Sequence, residues 1–278
     1  MDVACVREKA REVRKDILRM IAQAGSGHPG GSLSAADILA TLYFGGVLRV
    51  DPLAPKAKDR DYFILAKGHA APALYAVLAH AGFFPPEELG TLRQMGSRLQ
   101  GHPDSKLLDC VEVSTGSLGQ GLSIACGLAC GLRLDGLPNR VFTLLGDGEC
   151  QEGQVWEAAG FAAQQRLGSL IAIIDLNGLQ IDGPCPEICE ASSLAERFGA
   201  FGWDVHTVDG HDVAALHACL STVREAGGEK PHLVAATTVK GKGVSFMEGQ
   251  ASWHGKAPDA QQLAKALEEL DEKEAHHA

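Results

Sequence analysis

Two short apolar runs, Val-Phe-Thr-Leu-Leu at 141–145 and Leu-Ile-Ala-Ile-Ile at 170–174, constrain this chain most. The stretch between them, 151–167, reads as a helix. Short apolar runs on either side of a helix predict neighbouring parallel strands, whose carboxyl ends form the ligand crevice of an open α/β sheet. The first run ends in Gly146-Asp147-Gly148, and Asn177 closes the second. A carboxylate and an amide oxygen at adjoining strand tips suit a hard cation such as Mg²⁺, which fills its remaining positions with phosphate oxygens and water. The glycines beside Asp147 allow close backbone approach to a diphosphate.

Other glycine signatures fail on spacing. A dinucleotide fingerprint needs a third glycine where Gln151 stands, and Gln154-Val155 replaces the Lys-Ser/Thr of a P-loop. An isolated Gly-Asp-Gly triplet is usually a plain strand-to-helix turn. Its meaning here therefore depends on the rest of the chain.

Strand and helix patterns alternate along the sequence. Val6, Ala10, Val13, Ile17 and Ile21 recur at helical spacing up to Gly25, followed by a predicted loop over 26–32. Ser34 with Asp37 resembles a capping box opening a helix to about Tyr43. A strand at 61–66 turns through Lys67-Gly68-His69 into a helix over 70–81, and 84–109 reads as loop with one short helix. A small-residue helix runs to about Leu134. Strands at 203–208 and 233–238, helices at 194–201 and 213–226, and a charged helix at 260–273 complete the pattern. The expected fold is α/β: a doubly wound, mainly parallel sheet flanked by helices, forming one domain over 1–278.

The 278 residues, 45% of them apolar, suffice for a full core. A net charge of −10 argues against a nucleic-acid surface, and no run approaches the roughly twenty apolar residues of a membrane span. The charged N-terminus argues against a signal peptide. The eight cysteines form no Cys-x-x-Cys pair and read as reduced thiols of a cytoplasmic protein.

Four of the 11 histidines share an unusual setting: His28, His69, His102 and His254 each lie in a Gly- or Pro-flanked loop. One such histidine is ordinarily just solvated, whereas four imply imidazoles gathered around one polar ligand. His80, His206, His211, His217, His232, His276 and His277 are assigned to surface or packing roles. The second glycine cluster, at 114–121, has a simpler reading as the start of a closely packed helix. Glu152 and Glu157 have one as complements to a helix dipole.

Together these segments resemble the N-terminal, diphosphate-binding (PP-type) part of the transketolase family of thiamine diphosphate enzymes. The matching pieces are Ser-Gly-His-Pro-Gly at 26–30, Lys-Gly-His-Ala at 67–70, Gly-His-Pro at 101–103 and Thr-Gly-Ser-Leu-Gly-Gln-Gly at 115–121. Gly-Asp-Gly-Glu-Cys-Gln-Glu-Gly at 146–153, Asn-Gly-Leu-Gln-Ile-Asp-Gly at 177–183 and Trp-His-Gly at 253–255 continue the match in family order.

The resemblance implies that Asp147, Asn177 and the Leu179 carbonyl hold Mg²⁺ or Ca²⁺. His69, Gly148, Asn177 and His254 would contact the diphosphate side of thiamine diphosphate, while Gly116, Ser117, Leu118 and Ile181 would line the cofactor. His28, His69, His102 and His254 would face the reacting end of the sugar. Glu152 and Glu157 match glutamates that link the two active sites of the family's dimer. Departures are Ser117 in place of the usual proline, Ala66 in place of serine and Leu176 in place of a polar residue. None of them removes a metal ligand or a loop histidine, so they bear on specificity rather than on cofactor binding.

The family's pyrimidine and C-terminal domains lie outside this sequence. The resemblance therefore implies the first subunit of a split transketolase, active with a separate C-terminal partner, most naturally as an α2β2 heterotetramer. Such a complex would transfer a ketol unit between sugars or sugar phosphates. Alternatives are a subunit of a deoxyxylulose-phosphate synthase-like or 2-oxo acid dehydrogenase-like enzyme, or a non-catalytic cofactor-binding protein.

Overall fold

The computed structural model describes residues 1–189 and 193–275. Helix α1 (Val3–Ala24) starts where Asp2 Oδ1 accepts from the Ala4 and Cys5 amides, and ends at Gly25 in a left-handed conformation, φ 63°. Its stripe Val6, Ala10, Val13, Ile17 and Ile21 is buried as the spacing predicts. Full burial of each larger aliphatic side chain in that stripe contributes about 1.5–3 kcal/mol.

The predicted loop at 26–32 is shorter than expected, because α2 (Pro29–Ser34) begins at the proline. Pro29 supplies a preset φ and lacks only an N–H that a first helical turn leaves unpaired. The expected capping box is also absent. Helix α3 (Ala36–Phe44) has Ala35 at its N-cap and no side-chain cap. Asp37 is instead held by Arg14 Nη1 and Nη2 and by His211 Nδ1 at 2.7 Å. Burial raises its carboxyl, but Arg14 and His211 prevail and hold it at about 2.

The main sheet contains β1 (Tyr62–Leu65), β2 (Val141–Gly146), β3 (Leu170–Leu176), β6 (Asp204–Asp209) and β7 (His232–Thr237). All pairings are parallel, in the order β1-β2-β3-β7-β6. Alternate residues face opposite layers. Phe63, Phe142, Ile171 and Val234 join α1, α3, α4 (Ala71–His80) and α9 (Val213–Glu225). Ile64, Leu145, Ile174 and Leu233 join α5 (Gln120–Leu134), α6 (Gly153–Gln164) and α8 (Leu194–Ala200). Apolar cover on both faces is what a parallel sheet requires. Helix α10 (Ala260–Ala275) adds Ala266 and Leu270 to the α1 layer.

Beyond β3 lies an element the sequence did not reveal, a hairpin of β4 (Leu179–Gln180) and β5 (Gly183–Pro184), followed by the single turn α7 (Cys185–Ile188). Two-residue strands carry no readable alternation. His276 and His277 lie outside the described residues.

Candidate active site at the carboxyl ends of the strands

Gly146 at the end of β2 stands in register with Asp175 of β3, so the two following turns meet at the sheet crest. Asp147 joins them: its Oδ2 accepts from the Gly178 amide at 2.5 Å and its Oδ1 from the Gly148 amide at 2.8 Å. Burial raises the Asp147 carboxyl, and the Asp175 charge raises it further. Asn177 Oδ1 accepts from the Leu179 amide at 3.2 Å, and the Leu179 carbonyl accepts from Lys240 Nζ at 3.0 Å. Carboxylate, carboxamide and carbonyl oxygens are the donor set of a hard cation. A buried carboxylate destabilised by a like charge is one that a divalent ion would relieve. These residues fit the group.

Asp175 organises the floor beneath. Lys67 Nζ and Ser34 Oγ (2.6 Å) donate to its Oδ2, Thr238 Oγ1 donates to its Oδ1, and Asn177 Nδ2 reaches Oδ2 at 3.3 Å. The bond from Ser34 explains why that hydroxyl is not a helix cap. An acid at the end of an apolar strand was the available sign of this hub, and sequence reasoning passed over it.

Four loops bring the glycine-flanked histidines together above this floor. Ring centroids lie 5.5 Å apart for His28 and His69, 6.1 Å for His28 and His102, 5.6 Å for His28 and His254, and 5.2 Å for His69 and His254. The glycines create the space. A Cβ on Gly68 would stand 2.6 Å from the Gly116 amide, and one on Gly116, at φ 139°, would stand 3.0 Å from the His102 ring.

The imidazoles are held neutral. Burial, then Arg93 and His102, lowers His28 to about 4. Burial, then Lys240, lowers His254 to about 4. Burial and Lys67 hold His69 well below the ordinary range, and burial and Arg93 lower His102. Lys240 Nζ lies 2.9 Å from His254 Nδ1. An ammonium only donates, so His254 accepts at Nδ1 and carries its proton on Nε2.

The 114–121 cluster is a loop packed against the metal turn. Glu149, 3% exposed, accepts from the Gly119 and Gly146 amides at 3.0 Å each. Nothing in the sequence distinguished Glu149 from Glu152 and Glu157, yet it is the one that ties the two glycine loops together. Glu152 lies against Gly119, and Glu157 is exposed on α6. Ser117 is exposed, as are Leu118 (37%) and Ile181 (68%).

Arg93 and Lys240 were also missed. Arg93 donates to Ser26 Oγ at 3.1 Å and reaches His28 Nδ1 at 3.5 Å. Only the fold carries these residues to the histidines.

The chain is similar along almost its whole length to subunits of divided transketolases. It is 42% identical over 270 residues to a 6-deoxy-6-sulfo-D-fructose transketolase subunit of a Clostridium species, covering 97% of this chain and 98% of that one. It is 40% identical over 273 residues to an apulose-4-phosphate transketolase subunit of Phocaeicola vulgatus, covering 98% and 96%. The crystal structure of transketolase from Campylobacter jejuni superimposes with a TM-score of 0.90 at 32% identity, over 98% of this chain but 43% of that one. Residues 6–276 match the family described as "Transketolase, thiamine diphosphate binding domain". All three neighbours are transketolases or their subunits, which favours that activity over the synthase-like, dehydrogenase-like and non-catalytic alternatives. This chain belongs to the transketolase thiamine diphosphate-binding domain family.

Proposed function

We propose that this chain is the N-terminal subunit of a split transketolase. As one diphosphate-binding domain, it would pair with a separate subunit carrying the pyrimidine-binding domain and move a two-carbon ketol unit from a ketose or its phosphate to an aldose. The convergence of His28, His69, His102 and His254 above the Asp147–Asn177 crest carries this reading.

Asp147, Asn177 and the Leu179 carbonyl would hold Mg²⁺ or Ca²⁺, which would anchor the diphosphate. Gly148, His69 and His254 would contact the cofactor's phosphate side. Gly116, Ser117, Leu118 and Ile181 would line it, the exposed Leu118 and Ile181 offering apolar surface to its rings. Bound thiamine diphosphate supplies the carbon nucleophile and electron sink of ketol transfer.

The chain's own residues manage the substrate's protons. His254, with its proton on Nε2, donates a hydrogen bond to a sugar oxygen. His28, neutral at pH 7, accepts the proton of the C3 hydroxyl and returns it to the acceptor sugar. His69 and His102 complete the polar wall that orients the sugar's reacting end.

Glu152 and Glu157 would join the contact between two copies of this subunit in an α2β2 assembly, which their position outside the histidine cluster permits. The eight free thiols accord with a cytoplasmic setting. Among the described residues no helix is long and apolar enough to cross a membrane.

The test is co-expression with a candidate pyrimidine-domain subunit and a donor panel of fructose 6-phosphate, 6-deoxy-6-sulfofructose, apulose 4-phosphate and pyruvate. Turnover of a ketose donor dependent on both subunits, thiamine diphosphate and Mg²⁺ is expected. Exclusive use of pyruvate, or no turnover with any partner that co-purifies, would overturn the reading.

A further inference from the structure

The opposite end of the sheet carries a second cluster. Asp204 and His232 are the first residues of β6 and β7 and stand directly in register. His206 is two residues beyond Asp204, so all three side chains project from one face of the sheet edge. Neighbouring Val234 packs in the α1 layer, which places the cluster on the α9 side. This end is remote in topology from the crest where the histidine loops converge.

His232 is 3% exposed, yet neither ring nitrogen has a hydrogen-bond partner, and His206 Nε2 is likewise buried without one. A neutral imidazole carries one N–H and one lone pair, and buried polar groups are almost always satisfied. A buried imidazole and a neighbouring one that is 30% exposed, their nitrogens making no aligned hydrogen bond beside a half-exposed carboxylate, are therefore poor packing but a good ligand set.

The spacing supports this. His206 Nε2 and His232 Nδ1 each lie 3.4 Å from Asp204 Oδ2, and one ligand atom from each residue falls within 4.8 Å of the others. A tetrahedral zinc with bonds of about 2.0–2.1 Å sets its ligand atoms about 3.3 Å apart.

We propose that Asp204, His206 and His232 form a cation site for Zn²⁺, independent of the metal that serves the diphosphate. Two imidazoles and a carboxylate are borderline nitrogen and oxygen donors, which prefer Zn²⁺ to the hard ions suited to Asp147 and Asn177. Asp204 is half in solvent, leaving the fourth position to water. Burial lowers His232 and keeps it in the neutral, ligating form. Arg140 is the opposing charge nearby, but its guanidinium donates to the Gly168 and Ala226 carbonyls, at 3.0 and 2.8 Å. The site would staple the edge strand β6 to β7. The proposal does not rest on the transketolase reading.

Isothermal titration of Zn²⁺ into the full chain, with thiols reduced by a phosphine and Mg²⁺ and thiamine diphosphate in excess, tests it. Asp204→Asn and His206→Ala, both at positions open to solvent, are the comparison variants, with thermal melting to show that they fold. The expected result is one Zn²⁺ per wild-type chain, weakened on the order of tenfold or more in both variants. Co²⁺ should give visible d–d bands without the near-ultraviolet charge-transfer band of thiolate ligation. Equal affinity in wild type and variants, a thiolate band, or no binding by the wild-type chain would overturn the proposal.

Discussion

Lys67 and Asp175 form an ion pair in which the side chains are 1% and 0% exposed. It links the turn carrying His69 to the strand that leads to Asn177, so one buried contact sets the relative position of a histidine and a metal ligand. Ser34 and Thr238 occupy further lone pairs of the carboxylate. Removing one partner leaves an uncompensated buried charge. Lys67→Met should therefore lower unfolding stability by about 3–5 kcal/mol, and Lys67→Met/Asp175→Leu should recover part of that loss. Urea denaturation of the three proteins measures both effects.

Acid should destabilise the chain in two stages. His28 and His254 sit at about 4 in the folded protein, against about 6.5 unfolded. The unfolded chain binds more protons between those values, so the stability from keeping them neutral is complete above about 6.5 and is lost as pH falls toward 4. Asp175 is lowered because Lys67 and its hydrogen bonds outweigh burial. Its contribution is present above about 3.9 and disappears only at lower pH. Urea midpoints from pH 7 to pH 3 should fall first through the histidine window. A flat profile from 7 to 4.5 would contradict neutral buried imidazoles.

His69 faces His28 and His254 in the cluster and Gly31 beneath. His69→Ala should leave the fold intact, as read by circular dichroism, and lower kcat of the assembled complex by about 10²–10⁴-fold. Wild-type turnover in that variant would remove His69 from the chemistry.

Glu149 gives a prediction that separates positioning from catalysis. Glu149→Gln keeps the shape but turns an amide N–H₂ toward the Gly119 or Gly146 amide. One donor then lacks an acceptor, at a cost of about 1–3 kcal/mol. The melting temperature should drop, and thiamine diphosphate affinity, read by fluorescence titration, should weaken because the 114–121 loop loses its tie to the metal turn. Unchanged cofactor affinity would show that the tie has no bearing on the site.

Local pattern alone determined the alternation of helices and parallel strands, the crest that bears Asp147 and Asn177, and the four glycine-flanked histidines. Each is a matter of period, short motif or backbone freedom, and those are properties of neighbouring residues. Tertiary structure decided which distant groups meet. Parallel strands deliver all their following loops to one end, so residues separated by most of the chain become a cluster of rings 5–6 Å apart. Ser34 was misread because its hydroxyl found a buried carboxylate from β3 rather than a helix amide. Glu149 and Lys240 were overlooked for the same reason. Periodicity shows that a side chain is buried, whereas its partner depends on strand order and register across the sheet.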